Sequence, residues 1–312
     1  MKVLLANPRG FCAGVNMAID VVDQVLDIKG PPIYVYHEIV HNLHVVNDFR
    51  SRGVTFVGEI SEVPEGGVVV YSAHGVSPAV RQEAKARNLV QIDATCPLVT
   101  KVHLEVLRFA KQGNTIIFVG HRNHDEAIGT VGEAPESTVV VESVEEVETL
   151  RVPDPDRLAY VTQTTLSVAD ASRIINALKA KFPNIKAPPK EDICYATTNR
   201  QNAVTTLSPE VDLVLVIGSK NSSNSQRLVD TARGLGRDAY LIDDARELNP
   251  EWLAGARSLL VTAGASAPEH LVDQLLARLR DEYAGEVDVR TLVEEDVSFA
   301  PPPSLRSLTV VR

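Results

Sequence analysis

With 312 residues, of which 44% are hydrophobic and 23% charged, the chain can bury a core of its own and needs no disulfide staples. A formal net charge of −10 argues against nucleic acid or an anionic membrane as the main partner, so an anionic ligand must be held by local groups. No apolar run approaches the roughly 18 residues of a membrane span, and Met1 leads into a strand-like run without signal-peptide character, which predicts a cytoplasmic protein.

In chain order, six short apolar runs are each followed by a small polar loop and then a helical pattern. The runs are Val3 to Ala6, Val68 to Tyr71, Thr115 to Val119, Leu158 to Val161, Leu213 to Ile217 and Ser258 to Val261. Strands alternating with helices predict βαβ crossovers and mainly parallel sheets. The pattern groups into small α/β domains over 1–96 (with the N-terminal strand), 97–193 and 194–284, followed by a tail over 285–312. Pro301, Pro302 and Pro303 make part of that tail extended rather than helical. In open parallel sheets ligands bind beyond the carboxyl ends of the strands, where these polar loops lie.

The three cysteines fall one to each third of the chain, each directly before a helical pattern. Cys12 sits in RGFCAGV, between the first strand and the periodic Val15, Ile19, Val22 and Leu26. Cys96 precedes Pro97 and the stretch Val99, Val102, Val106, Phe109, and Cys194 precedes Thr197 to Leu207. A thiol at a helix N-terminus is poised to ionise. Their spacing is far too long for a CxxC zinc ribbon, and in a reducing compartment an odd count points to ligands, nucleophiles or core residues rather than disulfides. As ligands they suit either zinc or an iron-sulfur cluster. Structural zinc wants four protein ligands, whereas three thiolates on a four-iron cluster leave one iron open to substrate.

The loops supply further candidates. His41 in HEIVHN and His74 in SAHG lie near loops rather than on long apolar faces. His121, His124 and Glu126 in GHRNHDE put histidine and carboxylate two residues apart on a strand-end loop, within reach of one proton-transfer site. SKNSSNS, Ser219 to Ser225, crowds hydroxyls and carboxamides onto a strand-to-helix turn, a phosphate-binding arrangement. Thr164 in TQTTLS and Ser266 in GASAP occupy equivalent places. Neither GxxxxGK[ST] nor GxGxxG occurs, which leaves nucleotide hydrolysis and bound NAD unsupported.

RGFCAGV, HEIVHN, SAHGVSP, DATCPLVTKVH, TQTTLSV, DICYATTNRQ, SKNSSNS and TAGASAP, in this order and over essentially the whole chain, closely resemble the 4-hydroxy-3-methylbut-2-enyl diphosphate reductases of isoprenoid biosynthesis. The resemblance implies three α/β domains in pseudo-threefold arrangement around one 4Fe-4S cluster. Cys12, Cys96 and Cys194 would be the ligands, with one iron open to the substrate hydroxyl. By the same resemblance His41, His74, Ser222, Ser223, Asn224 and Ser266 match diphosphate-binding positions, and His124 matches a substrate and proton-relay residue. Thr164 matches a contact near the substrate hydroxyl and Glu126 the proton source. A ferredoxin or flavodoxin is the implied electron donor. Two positions depart from the family pattern, Asp125 (often Pro) and Glu133 (often Gln), and both bear on the acidity of Glu126.

Two other readings make different predictions. A zinc hydrolase or deaminase would be colourless with about one zinc per chain, although the PCxxC partner of the zinc deaminases is absent. An iron-sulfur sensor of isoprenoid precursors would hold a cluster without reducing substrate.

Overall fold

The computed structural model describes residues 1–306 and 308. Strand β1 (Lys2–Asn7) leads into α1 (Ala13–Lys29). Then come β2 (Ile33–Tyr36), α2 (Leu43–Ser51), β3 (Val54–Val57), β4 (Val68–Tyr71), α3 (Pro78–Ala86) and β5 (Val90–Asp93). The middle of the chain forms α4 (Pro97–Lys111), β6 (Thr115–Val119), α5 (Asp125–Gly132), β7 (Thr138–Val141), α6 (Val144–Thr149), β8 (Leu158–Thr162) and α7 (Val168–Lys181). The last part holds α8 (Tyr195–Leu207), β9 (Leu213–Ile217), α9 (Ser223–Gly234), β10 (Asp238–Ile242), β11 (Ser258–Ala263), α10 (Glu269–Tyr283), β12 (Glu286–Thr291) and α11 (Pro303–Arg306).

These strands form three parallel sheets, ordered β10-β9-β11-β1-β12, β3-β2-β4-β5 and β7-β6-β8. The parallel α/β architecture follows from the alternation of elements, because each parallel neighbour is reached through a crossover connection. All six predicted runs are strands. The chain clusters into two compact units, one of Met1–Val15, His41–Asp48 and Tyr195–Ser298, the other of Asn16–Val40, Phe49–Cys194 and Phe299–Arg312.

The first unit is built on the five-stranded sheet, whose central strands are buried on both faces. On β9, Leu213, Leu215 and Ile217 join Val3, Leu5, Leu271 and Leu275 in one core. Val214 and Val216 point the other way, joining Leu4, Ala6, Val204, Leu207 and Leu228. The two-residue period of the strands thus fills two layers, with α10 over one and α8 and α9 over the other.

Two pairings in this sheet join distant parts of the chain. Grouped with residues 1–96 in the sequence, β1 instead pairs with β11 (Lys2↔Ser258) and with β12 (Lys2↔Glu286). The tail after residue 285 accordingly supplies an edge strand, whose alternation of apolar and charged residues in EVDVRT suits a half-exposed edge.

The second unit carries the other two sheets. On β6, Ile117 and Val119 pack with Ala171, Ile174 and Leu178 of α7. Ile116 and Phe118 pack with Val102, Val106 and Phe109 of α4. Tyr71, Val69 and Val76 pack with Ala84 of α3. Several helices start on serine caps whose hydroxyl accepts the amide three residues on, Ser77 from Val80, Ser143 from Glu146 and Ser167 from Asp170. In the proline run only Pro303 enters a helix, as the first residue of α11, where its missing N–H costs nothing.

Candidate functional site

In the second unit the chemistry gathers at strand carboxyl ends. The loop after β6 ends on His124, the N-cap of α5, whose ring Nδ1 accepts the Glu126 amide at 3.1 Å. An accepting Nδ1 leaves Nε2–H as the donor of the neutral ring. Its partner in edge-to-face contact is His74, at 5.7 Å between ring centroids and 86° between planes. Gly75, beside His74, has φ +80°, and a Cβ there would lie 3.0 Å from the His103 ring, so a side chain at this position is strained.

Glu126 is 1% exposed. Its Oε1 accepts the Thr164 amide at 2.6 Å and its Oε2 the Thr164 hydroxyl at 2.8 Å. Burial raises its pKa to about 7, the two Thr164 bonds pull against that rise, and the carboxylate of Asp192 adds to it. Such a group gives or takes a proton near neutral pH. Thr164 also accepts the Cys194 amide on its carbonyl at 3.0 Å, so one residue ties the buried acid to a cysteine-bearing turn.

The two departures from the family pattern are accounted for elsewhere. Asp125 meets His37 Nδ1 at 2.8 Å, and Glu133 is held by His103 at 2.9 Å and Arg81 at 2.5 Å. Burial pushes Glu133 up, yet those two partners outweigh it and leave its pKa below the usual carboxylate value. Of the acids along the chain it is Asp192 that bears on Glu126. Asp192 is buried, bonded to Lys101 Nζ at 2.7 Å and to the Thr162 amide at 2.8 Å. Lys101 also caps the carbonyls of Lys190 and Glu191, joining α4 to the approach to Cys194. Neither Lys101 nor Asp192 stands out in the sequence, because their partnership spans 91 positions. His121 is half-exposed, with Nδ1 3.9 Å from Glu142.

The first unit gathers the hydroxyl-rich residues. Ser222 caps α9, its Oγ accepting the Ser225 amide at 3.3 Å and the Ser225 hydroxyl at 3.0 Å. Ser223 is the first residue of that helix. Asn224 is 4% exposed and spans two loops, accepting the Ala265 amide at 2.8 Å and donating to Thr197 Oγ1 at 3.3 Å. The Ser266 hydroxyl lies 2.9 Å from the carbonyl of His41 and 3.4 Å from Ser222 Oγ. His41, Ser222, Asn224 and Ser266 are thereby brought to one edge of the sheet, at the N-terminus of α9, where backbone N–H groups and the helix dipole favour an anion.

Each cysteine directly precedes a helix. Cys12 donates its amide to Ala265 at 3.2 Å ahead of α1, and Cys96 caps α4, its amide on Ala73 at 3.0 Å and its side chain taking no part in the cap. Cys194 precedes α8. All three are partly exposed and none forms a disulfide. The thiolate is the form of cysteine that binds metal.

Residues 3–280 match the family model described as LytB protein. The chain belongs to the LytB family. Its similarity to named LytB relatives spans almost the full length. The 4-hydroxy-3-methylbut-2-enyl diphosphate reductase of Bordetella bronchiseptica is 57% identical over 306 residues, covering 97% of this chain and 93% of the relative. That of Rhodopirellula baltica is 54% identical over 307 residues, covering 98% and 96%. The structure of the E-1-hydroxy-2-methyl-but-2-enyl-4-diphosphate reductase from Plasmodium falciparum matches this LytB chain with a TM-score of 0.96 at 39% identity, covering 98% of this chain and 97% of that one. A second solved reductase, described as the terminal enzyme of the non-mevalonate pathway, has a TM-score of 0.64 at 33% identity and covers 90% and 99%.

Proposed function

We propose that this LytB chain is a 4-hydroxy-3-methylbut-2-enyl diphosphate reductase acting in the cytoplasm, the last step of the non-mevalonate route to isoprenoids. The reaction breaks the allylic C–O bond: with two electrons and two protons the alcohol becomes isopentenyl or dimethylallyl diphosphate plus water. The observation that carries the reading is Glu126, a buried carboxyl of pKa about 7 whose two oxygens are both engaged by Thr164.

Side chains alone cannot supply electrons, so a redox group is required. Cys12, Cys96 and Cys194 would hold one 4Fe-4S cluster, a fit supported by their number, partial exposure and positions ahead of three helices. When bound, such a cluster supplies electrons and a Lewis-acidic iron for the substrate hydroxyl. A ferredoxin or flavodoxin would deliver the electrons, as the family resemblance implies.

The proton chemistry belongs to Glu126 and Thr164. In the ionised state the Thr164 hydroxyl donates to Glu126 Oε2. Once Glu126 is protonated that bond can reverse, with the carboxyl donating to Thr164 Oγ1 and the threonine proton freed for the departing hydroxyl. His124, its Nδ1 fixed on the Glu126 amide, presents Nε2–H as a further donor. For the diphosphate, Ser222, Ser223, Asn224 and Ser266 with His41, and His74 with His124, offer hydrogen-bond donors. Each hydrogen bond to a charged group contributes about 1.5–3 kcal/mol, so several of them bind an anion in a chain of net charge −10.

The test is anaerobic purification followed by iron, sulfide and zinc analysis, the visible spectrum, and turnover of the allylic diphosphate with dithionite and a mediator. A brown protein with about four iron and four sulfide per chain that consumes substrate is the expected result. A colourless zinc protein, or a brown one without turnover, overturns the assignment.

A further inference from the structure

The turn that carries Cys12 is gripped by α8. Tyr195, the first residue of that helix, accepts the Ala13 amide on its hydroxyl at 3.3 Å. Arg200, one turn further on, is 0% exposed and the largest fully buried side chain among the described residues. It donates to the carbonyl of Gly10 twice, from Nη2 at 2.8 Å and Nε at 3.2 Å, and to the Ala196 carbonyl from Nη1 at 3.0 Å. Its remaining donors go to Glu295, with Nη1 at 3.0 and 3.3 Å from the two carboxylate oxygens and Nη2 at 3.3 Å from Oε2. Asn199 Nδ2 donates to the same carboxylate at 3.0 Å.

A guanidinium taken wholly out of water carries a large desolvation penalty, and well-packed apolar residues often stabilise a fold as well as a buried ion pair does. What the arginine adds is direction. Two donors converging on one carbonyl fix the plane of the Gly10 peptide, in a residue of φ +64°, and from there the chain reaches Cys12 in two steps. On the far side the Tyr195 hydroxyl fixes the peptide just after Cys12, and Ala265 holds the Cys12 amide itself. The turn is therefore pinned before, at and after the cysteine, and the pin before it is neutralised by a carboxylate from the C-terminal segment.

We infer that Arg200, Tyr195 and Glu295 are positioning residues for Cys12, with Glu295 making the C-terminal segment a working part of the site. This rests on the reading of Cys12 as a cluster ligand. Glu295 also sets the local charge: removing it leaves the buried arginine uncompensated beside the Cys12 turn, which favours the reduced cluster.

The experiment compares wild type, Tyr195→Phe and Glu295→Gln, all anaerobically purified, by amide hydrogen exchange over residues 9–15, iron release to a chelator, and the cluster midpoint potential. Arg200→Lys is a harsher variant whose loss of folding would be uninformative, so the two milder ones carry the test. Exchange at Ala13 should quicken several-fold in Tyr195→Phe, iron release should quicken in both, and the potential should rise in Glu295→Gln while exchange in α9 stays unchanged. Wild-type exchange over 9–15 in both variants overturns the clamp. Faster exchange with unaltered iron release and potential reduces it to local support and overturns its role toward the cofactor. A wild type free of iron and sulfide would sink the cluster reading instead, while the exchange data would still report on the clamp.

Discussion

Replacing Glu126 by glutamine removes one ionisation and little else, because the amide can keep both Thr164 bonds, Oε1 accepting the backbone N–H and Nε2 donating to the hydroxyl. The consequence for stability follows from the raised pKa of about 7 against an ordinary value of 4.5. Below pH 4.5 the folded and unfolded chains both hold the proton and the group is neutral in its effect. Between 4.5 and 7 the unfolded chain has lost the proton while the folded one keeps it, so stability falls as pH rises, and it levels off above 7. At about 1.4 kcal/mol per pH unit the whole loss is about 3 kcal/mol, of which about 2 kcal/mol lies between pH 5.5 and 8. Anaerobic denaturant unfolding of wild type and Glu126→Gln at those two pH values should show the variant gaining about 2 kcal/mol on wild type across the interval. Infrared difference spectra should show a protonated carboxyl band in wild type that disappears with a midpoint near 7 and is absent from the variant. A band lost near pH 4.5, or parallel pH dependence of the two proteins, would refute the argument that burial outweighs the Thr164 bonds.

The same variant should retain iron and bind substrate yet lose about 10²–10⁴-fold in turnover, the contribution of a positioned proton donor, as single-turnover kinetics would record. Cys12→Ser, Cys96→Ser and Cys194→Ser should each lower iron and sulfide content, measured by colorimetric analysis of anaerobic protein; unchanged content at any position removes that ligand. Asn224→Ala strips the Ala265 amide of its buried acceptor, a cost of about 1–3 kcal/mol, and should weaken diphosphate binding roughly 10- to 100-fold by calorimetry. Gly75→Ala forces a side chain into φ +80° against the His103 ring and should lower unfolding stability by about 1–2 kcal/mol.

What could be read from the sequence follows the range of the interaction concerned. A strand such as Leu213 to Ile217, apolar at every position because both faces are covered, announces itself locally. The four-residue strands IYVY, VTFV and VQID carry too little pattern to separate from loops, and EVDVRT looks like solvated tail because its edge position leaves charges exposed. Helix α8 shows scant amphipathic stripe for the opposite reason: it buries Thr197, Arg200 and Gln201 along with Ala203 and Val204, so polar and apolar residues share its interior faces. The candidate site divides in the same way. Glu126 and His124 sit two positions apart and can be suspected as a pair, whereas Arg200 and Glu295 meet across 95 residues and Glu133 meets His103 across 30. Such partnerships exist only once the fold has formed, and no local window contains them.

The pairing of the first strand with strands near the end of the chain has a consequence for biosynthesis. Lys2 finds its neighbours only at Ser258 and Glu286, so roughly 250 residues must leave the ribosome first, on the order of 10–50 s at 5–20 residues per second. Throughout that interval the segment bearing Cys12 has no sheet to dock on, and the turns bearing Cys96 and Cys194 emerge before it ends. A nascent chain halted before Ser258 would thus leave the Cys12 thiol next to a strand without its sheet, and under the proposed ligand role any metal loading there would come late in synthesis.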